Sequence, residues 1–291
     1  MFRGSIVALV TPFKKRRVDY KALQKLVDFH VKAGTHAILP CGTTGESATL
    51  SMEEHADVIE AVVSAAAGRI PVIAGTGANN TKEAIELTKH AKKAGADGSL
   101  QVCPYYNKPT QEGLYRHFKT IAEEVDIPII LYNIPSRTGV NMSVETIQRL
   151  SEIKNIVAIK EASGNLSQMA EIKRVCKDKL TLLSGDDALT LPVLSVGGEG
   201  VISVVANIVP EKVVQLINAW NNREIERARD IYLDLFPLVK AMFIETNPIP
   251  VKTAMGLMGM ISPELRLPLC EMGKENLDKL RKVLRSYGLV K

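Results

Sequence analysis

Two features that mark specialised protein classes are absent from this sequence, namely paired cysteines and long apolar runs. Its four cysteines lie far apart, with no C-x-x-C pair and no histidine at metal-ligand spacing, which argues against a disulfide scaffold, a zinc site or a redox site. No apolar run is long enough to cross a membrane, and residues 1–10 lack the pattern of a signal peptide. We therefore expect a cytoplasmic protein that does not contact a membrane.

Aromatic residues are also scarce, at 5% of the 291 residues, but 46% hydrophobic and 24% charged residues are ordinary for a globular chain. The formal net charge of +5 favours solubility more than any specific anionic partner. The densest basic run, 14–17, has no interleaved aromatic residues and is predicted to be a solvated loop. Nucleic-acid binding is not expected.

The fold is indicated by short apolar runs that alternate with amphipathic stretches along the whole chain, a pattern typical of βαβ units. Eight strands are predicted, at 5–10, 37–40, 71–74, 98–103, 128–132, 157–160, 180–184 and 200–205. Helices are predicted between them, at 20–32, 51–66, 81–94, 112–124, 166–176 and near 210–221. Ser51 and Thr81 stand where side chains cap helix starts.

An open, doubly wound sheet is the rival fold, but the turn after the first strand lacks the glycine-rich fingerprint common there, reading Thr11-Pro12-Phe13. We therefore predict an α/β protein with a (β/α)8 TIM barrel over residues 1–224 and a C-terminal helical extension over 225–291. Active sites of such barrels lie at the carboxyl ends of the strands. None of the five histidines falls at a predicted strand end, which argues against a histidine base or a Ser-His-Asp site.

Lys160 ends a predicted strand, so its amine is expected at the barrel mouth. A lysine there could simply reach water. Lowering a lysine pKa from near 10.4 to about 7 or 8 takes roughly 4 kcal/mol of desolvation or like charge, which a barrel interior can supply. Such an amine can form a Schiff base with a carbonyl substrate.

Other strand ends carry groups with two interpretations. Tyr132 is either an aromatic filler or a proton relay beside an amine, and Thr43 with Thr44 is either an ordinary turn or a pair of hydroxyl donors. Asp186, Asp187 and Glu161 could suggest a divalent metal, but the simpler interpretation is that Asp187 or its neighbour caps a helix. We expect no metal and no cofactor.

Six motifs are spread over essentially the whole chain, at 42–47, 104–107, 132–139, 159–162, 184–187 and 247–252. Together they resemble a known family, the class I aldolases that include dihydrodipicolinate synthase and N-acetylneuraminate lyase. This resemblance implies condensation of pyruvate with L-aspartate 4-semialdehyde to 4-hydroxy-tetrahydrodipicolinate, a lyase-type step in the diaminopimelate route to lysine.

The resemblance also implies roles for single residues. Lys160 would form the pyruvate imine, and Tyr132, Thr43 and a Tyr106 from a neighbouring subunit would relay protons. Pyruvate would be held by three residues, namely Thr44, Gly185 and Ile202. Arg137 would bind the carboxylate of the aldehyde substrate, since a guanidinium suits a carboxylate. Lyases acting on sugar acids are not expected to carry Ser-Arg-Thr-Gly there, although such a lyase remains the nearest alternative.

Assembly and regulation are implied in the same way. Members are typically homotetramers, dimers of dimers, and many are inhibited by lysine at positions matching Ser47, Ala48, His55, Asn79, Glu83 and Tyr105. Met52 departs from that pattern, because lysine-sensitive enzymes often carry histidine there, so feedback inhibition is an open question. A non-catalytic barrel that binds a small ligand is the alternative from another functional class.

Overall fold

The computed structural model describes residues 2–291. Eight strands form one parallel sheet: β1 Gly4–Ala8, β2 Ala37–Leu39, β3 Ile73–Gly75, β4 Gly98–Val102, β5 Ile129–Asn133, β6 Ile156–Glu161, β7 Thr181–Ser184 and β8 Gly200–Ser203. Along the sheet the order is β2-β1-β8-β7-β6-β5-β4-β3, so neighbouring strands are consecutive in sequence or, for β1 and β8, first and last. This order confirms the predicted (β/α)8 barrel.

Within the described residues, twelve helices follow or connect these strands: α1 Tyr20–Lys32, α2 Met52–Ala66, α3 Thr81–Ala94, α4 Gln111–Glu124, α5 Pro135–Thr138, α6 Val144–Leu150, α7 Leu166–Cys176, α8 Thr190–Ser195, α9 Pro210–Asn221, α10 Ile225–Ala241, α11 Ile249–Leu257 and α12 Lys274–Ser286. The last three confirm a helical C-terminal segment. In the described part of the chain, no helix combines the length and the apolar character that a membrane span needs.

By its internal contacts the chain divides into two compact units. The first unit contains the residues up to Gly4 and Pro71–Ile202, and the second contains Ser5–Ile70 and Ser203–Lys291. A cluster of buried apolar side chains from α4, α6 and α7 and from strands β5 to β7 forms the core of the first unit. In the second unit, α1 and α2 pack together and bury Leu23, Val27, Val58 and Ile59. The predicted boundary at 224/225 lies between α9 and α10 and stays a prediction.

Local signals account for most helix ends. Ser51 and Glu54 form a reciprocal capping box at the start of α2, as expected. The predicted Thr81 cap is wrong, because Asn80 accepts the backbone N–H of Lys82 and Thr81 is already helical. The expectation of a loop at 14–17 is also wrong: Phe13–Lys14 pairs with Arg17–Val18 in a hairpin whose two turn residues have φ of 52° and 64°.

Candidate functional site

Lys160 lies on β6, between β5 and β7 in the sheet, with Tyr132 and Leu183 as its register partners. Its side chain is buried, and its Nζ lies 4.1 Å from the centroid of the Tyr132 ring. Side chains of adjacent strands at the same register point to the same face of a sheet. The structure therefore places the ring of Tyr132 against the amine of Lys160.

Burial lowers the pKa of Lys160 to about 7, because the ammonium loses its hydration. The carboxylate of Asp187 opposes this shift, and the guanidinium of Arg137 adds to it. No carboxylate within residues 2–291 forms an ion pair with Lys160 at 4.0 Å or less. A large fraction of this amine is therefore neutral near pH 7, the form that attacks a carbonyl.

Gly185 follows β7 and brings its backbone against the stem of Lys160. A Cβ at this position would lie 2.7 Å from the Cβ of Ala162 and 3.1 Å from the Cε of Lys160. Its backbone N–H donates to the carbonyl of Glu161, 2.8 Å away. Glycine is thus needed here for a close approach to the lysine. Ile202, the other predicted pyruvate contact of this unit, is buried on β8.

Glu161 follows Lys160 on β6, so its side chain points to the other face of the sheet. It accepts hydrogen bonds from the side chain of Asn133 at 2.9 Å and from the backbone N–H of Ser163 at 2.7 Å. Burial raises its pKa, and these hydrogen bonds oppose the shift. Across residues 2–291, no group of three or more His, Cys, Asp and Glu side chains has a metal-binding arrangement. Glu161 is instead satisfied by protein donors.

The two acidic residues that follow β7 make different interactions. Asp186 accepts the backbone N–H of Ala188 at 2.9 Å and caps the short 3-10 turn Asp187–Leu189, as the simpler interpretation predicts. Asp187 is buried, and its charge acts on Lys160.

Arg137 lies on α5, a single helical turn that begins at Pro135 and ends at Gly139, whose φ is 73°. The hydroxyl of Thr138 donates to the carbonyl of Ile134 and fixes this turn. Arg137 itself is exposed. Sequence reasoning did not predict this helix, which is too short for a helical period.

Tyr105 and Tyr106 lie in the segment that follows β4. Tyr106 has a φ of 71° and is 90% exposed, which is unusual for a tyrosine. Asn79 donates to the carbonyl of Tyr105 at 3.3 Å, and Asn107 donates to the carbonyl of Asn79 at 2.9 Å. Burial, and next the charge of Glu83, raises the pKa of Tyr105. Asn79, Glu83 and Tyr105, three predicted lysine-site residues, therefore lie together.

The predicted residues of the second unit lie in the loop Gly42–Ser47, after β2. Thr43 is half-buried, and its carbonyl accepts the backbone N–H of Glu46. Thr44 is buried, and its Oγ1 accepts a 3.0 Å hydrogen bond from the side-chain amide of Asn247. The loop therefore carries two threonine hydroxyls in different environments, that of Thr43 half-buried and that of Thr44 buried.

Glu46, in the same loop, forms an ion pair that sequence reasoning missed. The Nζ of Lys252, on α11, lies 2.5 Å from its Oε1, and the backbone N–H of Arg266 donates to its Oε2 at 3.1 Å. The Glu46 and Lys252 side chains are 1% and 0% exposed. A lysine within the apolar run Ile249-Pro250-Val251-Lys252-Thr253-Ala254-Met255 was a signal that Lys252 is buried, but it does not identify Glu46 as the partner.

The remaining predicted lysine-site residues also belong to the second unit. Ser47 and Ala48 open the 3-10 turn Ser47–Thr49, with Ala48 exposed. His55 is buried on α2, and Met52, the first residue of that helix, is 51% exposed. The departure at Met52 thus places an apolar side chain, rather than an imidazole, where solvent or another molecule can reach it.

The family model for the dihydrodipicolinate synthetase family matches residues 1–287. The chain belongs to this family. The enzyme named 4-hydroxy-tetrahydrodipicolinate synthase of Thermodesulfovibrio yellowstonii is 59% identical over 291 residues and is covered completely, as is this chain.

Solved structures of the family agree. The dihydrodipicolinate synthase of Aquifex aeolicus is 59% identical, with a TM-score of 0.98 over 99% of both chains. That of Cyanidioschyzon merolae, solved with lysine bound, is 46% identical, with a TM-score of 0.96 over 99% of both. As a dihydrodipicolinate synthetase family member, the chain carries its buried lysine and the neighbouring tyrosine on adjacent barrel strands.

Proposed function

We propose that this protein condenses pyruvate with L-aspartate 4-semialdehyde to give 4-hydroxy-tetrahydrodipicolinate, the step of the diaminopimelate route to lysine that its relatives are named for. The observation that carries the proposal is Lys160, a buried amine with a pKa of about 7 beside the ring of Tyr132. A scaffold or a passive binding barrel has no need for a costly buried amine.

The first step uses the neutral amine of Lys160. It attacks the C2 carbonyl of pyruvate, water leaves, and the imine that forms takes up a proton from the relay residues. Loss of a proton from the pyruvate methyl group gives an enamine, whose carbon attacks the aldehyde of the second substrate. The substrate amine then attacks the imine carbon, the ring closes, and Lys160 leaves as a free amine. No cofactor is needed.

The proton transfers are assigned to Tyr132, Thr43 and Tyr106. Tyr132 is the best supported of them, because its ring lies against the Lys160 amine. The other roles follow the family resemblance: Thr44, Gly185 and Ile202 bind pyruvate, and Arg137 binds the distal carboxylate of the semialdehyde. A planar guanidinium can bind that carboxylate through two parallel hydrogen bonds. This would separate the semialdehyde from sugar-derived aldehydes, which lack such a carboxylate.

The direct test is intact mass after incubation with pyruvate and borohydride, followed by peptide mapping and an assay of condensation with aspartate semialdehyde. Reduction converts the imine into a stable secondary amine. We expect label on Lys160 together with condensation. Label without condensation would point to an aldolase for sugar-derived aldehydes, and absence of label would overturn the Schiff-base mechanism.

We also propose that the active form is a homotetramer, a dimer of dimers, in which Tyr106 serves the site of a neighbouring subunit. Its 90% exposure supports this role, since a tyrosine so displayed is available to a second copy. Mixing Tyr106→Phe with Lys160→Met protein tests it. Hybrid oligomers with one intact site should recover activity that neither variant has alone, and no recovery would contradict action across subunits.

We further propose that lysine inhibits the enzyme weakly and that the protein is cytoplasmic. Lysine, as the end product, would bind at Ser47, Ala48, His55, Asn79, Glu83 and Tyr105, with weakened affinity because Met52 offers no imidazole. Titrating lysine into the condensation assay, with Met52→His as the comparison, measures this. The cytoplasm is the proposed location, where the substrates of amino-acid biosynthesis are formed.

A further inference from the structure

The hydroxyl of Thr44 is buried, and the described part of the protein uses its oxygen as a hydrogen-bond acceptor but not its hydrogen as a donor. Thr44 is 3% exposed, and its oxygen accepts the hydrogen bond from Asn247. A threonine hydroxyl has one hydrogen to donate, and buried polar groups are rarely left without a partner. In the described chain, residues 2–291, no acceptor for that hydrogen is found. The hydroxyl is therefore set up to donate to a ligand.

The side chain of Asn247 determines where the hydroxyl hydrogen of Thr44 can point. Its amide N–H donates to the Thr44 oxygen at 3.0 Å, so that lone pair is occupied and the hydroxyl hydrogen must point elsewhere. If residue 247 presented an acceptor, the hydroxyl would donate to it and turn a lone pair towards an incoming anion. Asn247 is itself buried, so its amide is not drawn away by water.

The loop that carries Thr44 is also held from the same C-terminal segment. Glu46 has a φ of 53°, a conformation that non-glycine residues adopt at a cost. Lys252 and the backbone of Arg266 bond both of its carboxylate oxygens, and the ring of Phe13 lies 4.2 Å from the Lys252 Nζ. The turn next to Thr44 is therefore fixed by contacts that solvent does not reach.

We infer that Asn247 is a positioning residue for substrate binding: it holds the Thr44 hydroxyl as a hydrogen-bond donor for the carboxylate of the 2-oxo acid, on a loop that Lys252 fixes through Glu46. The inference rests on the proposed function, because the ligand acceptor is taken to be pyruvate. It assigns the C-terminal segment, which carries Asn247, Lys252 and Arg266, a part in substrate recognition.

The test is Asn247→Asp, which keeps the shape and replaces the donor by an acceptor. The readout is the pyruvate concentration that gives half-maximal borohydride labelling of Lys160. It should rise about 10- to 100-fold, the range for losing a hydrogen bond to a charged group. The KM for aspartate semialdehyde should not change, a split that general loosening of the fold would not produce.

A double-mutant cycle with Thr44→Val separates positioning from structural damage. Thr44→Val alone should raise the half-labelling concentration by a similar factor. Asn247→Ala removes the donor without adding a charge, and it also serves if Asn247→Asp fails to fold. It should raise the half-labelling concentration about threefold on its own and add nothing in the Thr44→Val background.

Asn276→Asp is the matched control. Asn276 also donates its side-chain amide within the second unit, to Glu245 at 2.9 Å. This variant should lose stability while its half-labelling concentration stays at the wild-type value. Wild-type labelling of Asn247→Asp, or effects that multiply in the double variant, would overturn the inference and leave the proposed function intact. Failure of the wild type to take label would instead overturn the proposed function.

Discussion

Two lysines are buried within residues 2–291, and each lies against an aromatic ring, but their pKa values are set by different neighbours. The Nζ of Lys160 lies 4.1 Å from the ring of Tyr132, and the Nζ of Lys252 lies 4.2 Å from the ring of Phe13. Burial lowers the pKa of both. Lys252, however, donates to a buried carboxylate at 2.5 Å, whereas Lys160 has only the more distant charges of Asp187 and Arg137.

The difference shows that burial alone does not make a reactive lysine. A bonded carboxylate stabilises the ammonium and opposes the loss of its proton, so Lys252 acts as a fixed cation that holds Glu46. Without such a partner, the free energy cost of burial appears as proton loss, and the amine becomes a nucleophile. Removing the Lys160 amine should therefore abolish activity and raise stability. Removing the Lys252 amine should lower stability and leave the reactive amine in place.

The largest expected effect is on activity, from Lys160→Met. This change keeps most of the side-chain volume and removes the amine. Borohydride labelling with pyruvate should disappear, and condensation should fall by on the order of a thousandfold or more, as for other covalent nucleophiles. The measurements are intact mass and the initial rate of condensation.

The same variant should be more stable than the wild type. One pKa unit corresponds to about 1.36 kcal/mol. Removing an amine whose pKa is about 7 in the folded protein, rather than near 10.4, should therefore raise the free energy of unfolding by at most roughly 5 kcal/mol. Urea titration at pH 7 measures this. Retained labelling, or a loss of stability, would contradict the assignment of Lys160 as a strained nucleophile.

The next largest effect is on stability, from Lys252→Met, and has the opposite sign. Removing one member of a buried ion pair leaves Glu46 charged and unpaired, which typically costs about 3 to 5 kcal/mol. The free energy of unfolding, measured by urea titration, should fall accordingly. Labelling of Lys160 should persist at saturating pyruvate, because the reactive amine is intact.

A second substitution and a surface control sharpen this result. Adding Glu46→Gln removes the unpaired charge, so the double variant should regain part of the lost stability. Lys279→Met removes an exposed pair with Glu275 and should change stability by less than about 1 kcal/mol. Equal losses at Lys252 and Lys279 would show that burial does not govern these ion pairs.

Sequence patterns predicted the two sites unequally. Eight strands and the long helices followed from apolar periodicity, and Lys160 was recognisable because it ends a predicted strand. Its register with Tyr132 is visible only in the structure. Lys252 and Glu46 are 206 residues apart in the sequence, and no local sequence pattern predicts an ion pair between residues with that separation. The short helices α5 and α6 were missed because each is shorter than the stretch over which a helical period can be recognised, and α8 was expected only as an unbounded helix after the Asp186-Asp187 cap.

The pH dependence of Lys160 gives a smaller, graded effect. Because only the neutral amine attacks, the rate of imine formation at low pyruvate should fall about tenfold per pH unit below 7 and level off above it. Quenched labelling between pH 5.5 and 8.5 gives this profile.

Stability should follow the same pKa with a defined sign. The folded pKa of Lys160, about 7, is below the unfolded value, so the unfolded state binds more protons between pH 7 and about 10.4. The destabilisation is therefore greatest below pH 7 and shrinks as pH rises. The stability advantage of Lys160→Met should shrink likewise, and a constant advantage would assign it to packing.

The smallest expected effect comes from Gly185→Ala, which leaves both lysines in place. The new Cβ would lie 2.7 Å from the Cβ of Ala162 and 3.1 Å from the Cε of Lys160, so the lysine stem must shift. Overpacking of this kind costs about 1 to 3 kcal/mol, and we expect labelling of Lys160 to slow a few-fold while the Glu46–Lys252 pair is untouched. Gly164→Ala is the matched control, since a Cβ there meets no atom within 4 Å, although its φ of 77° adds backbone strain. If both variants labelled at the same rate, the close approach of Gly185 would have no part in orienting the amine, and burial alone would account for its reactivity.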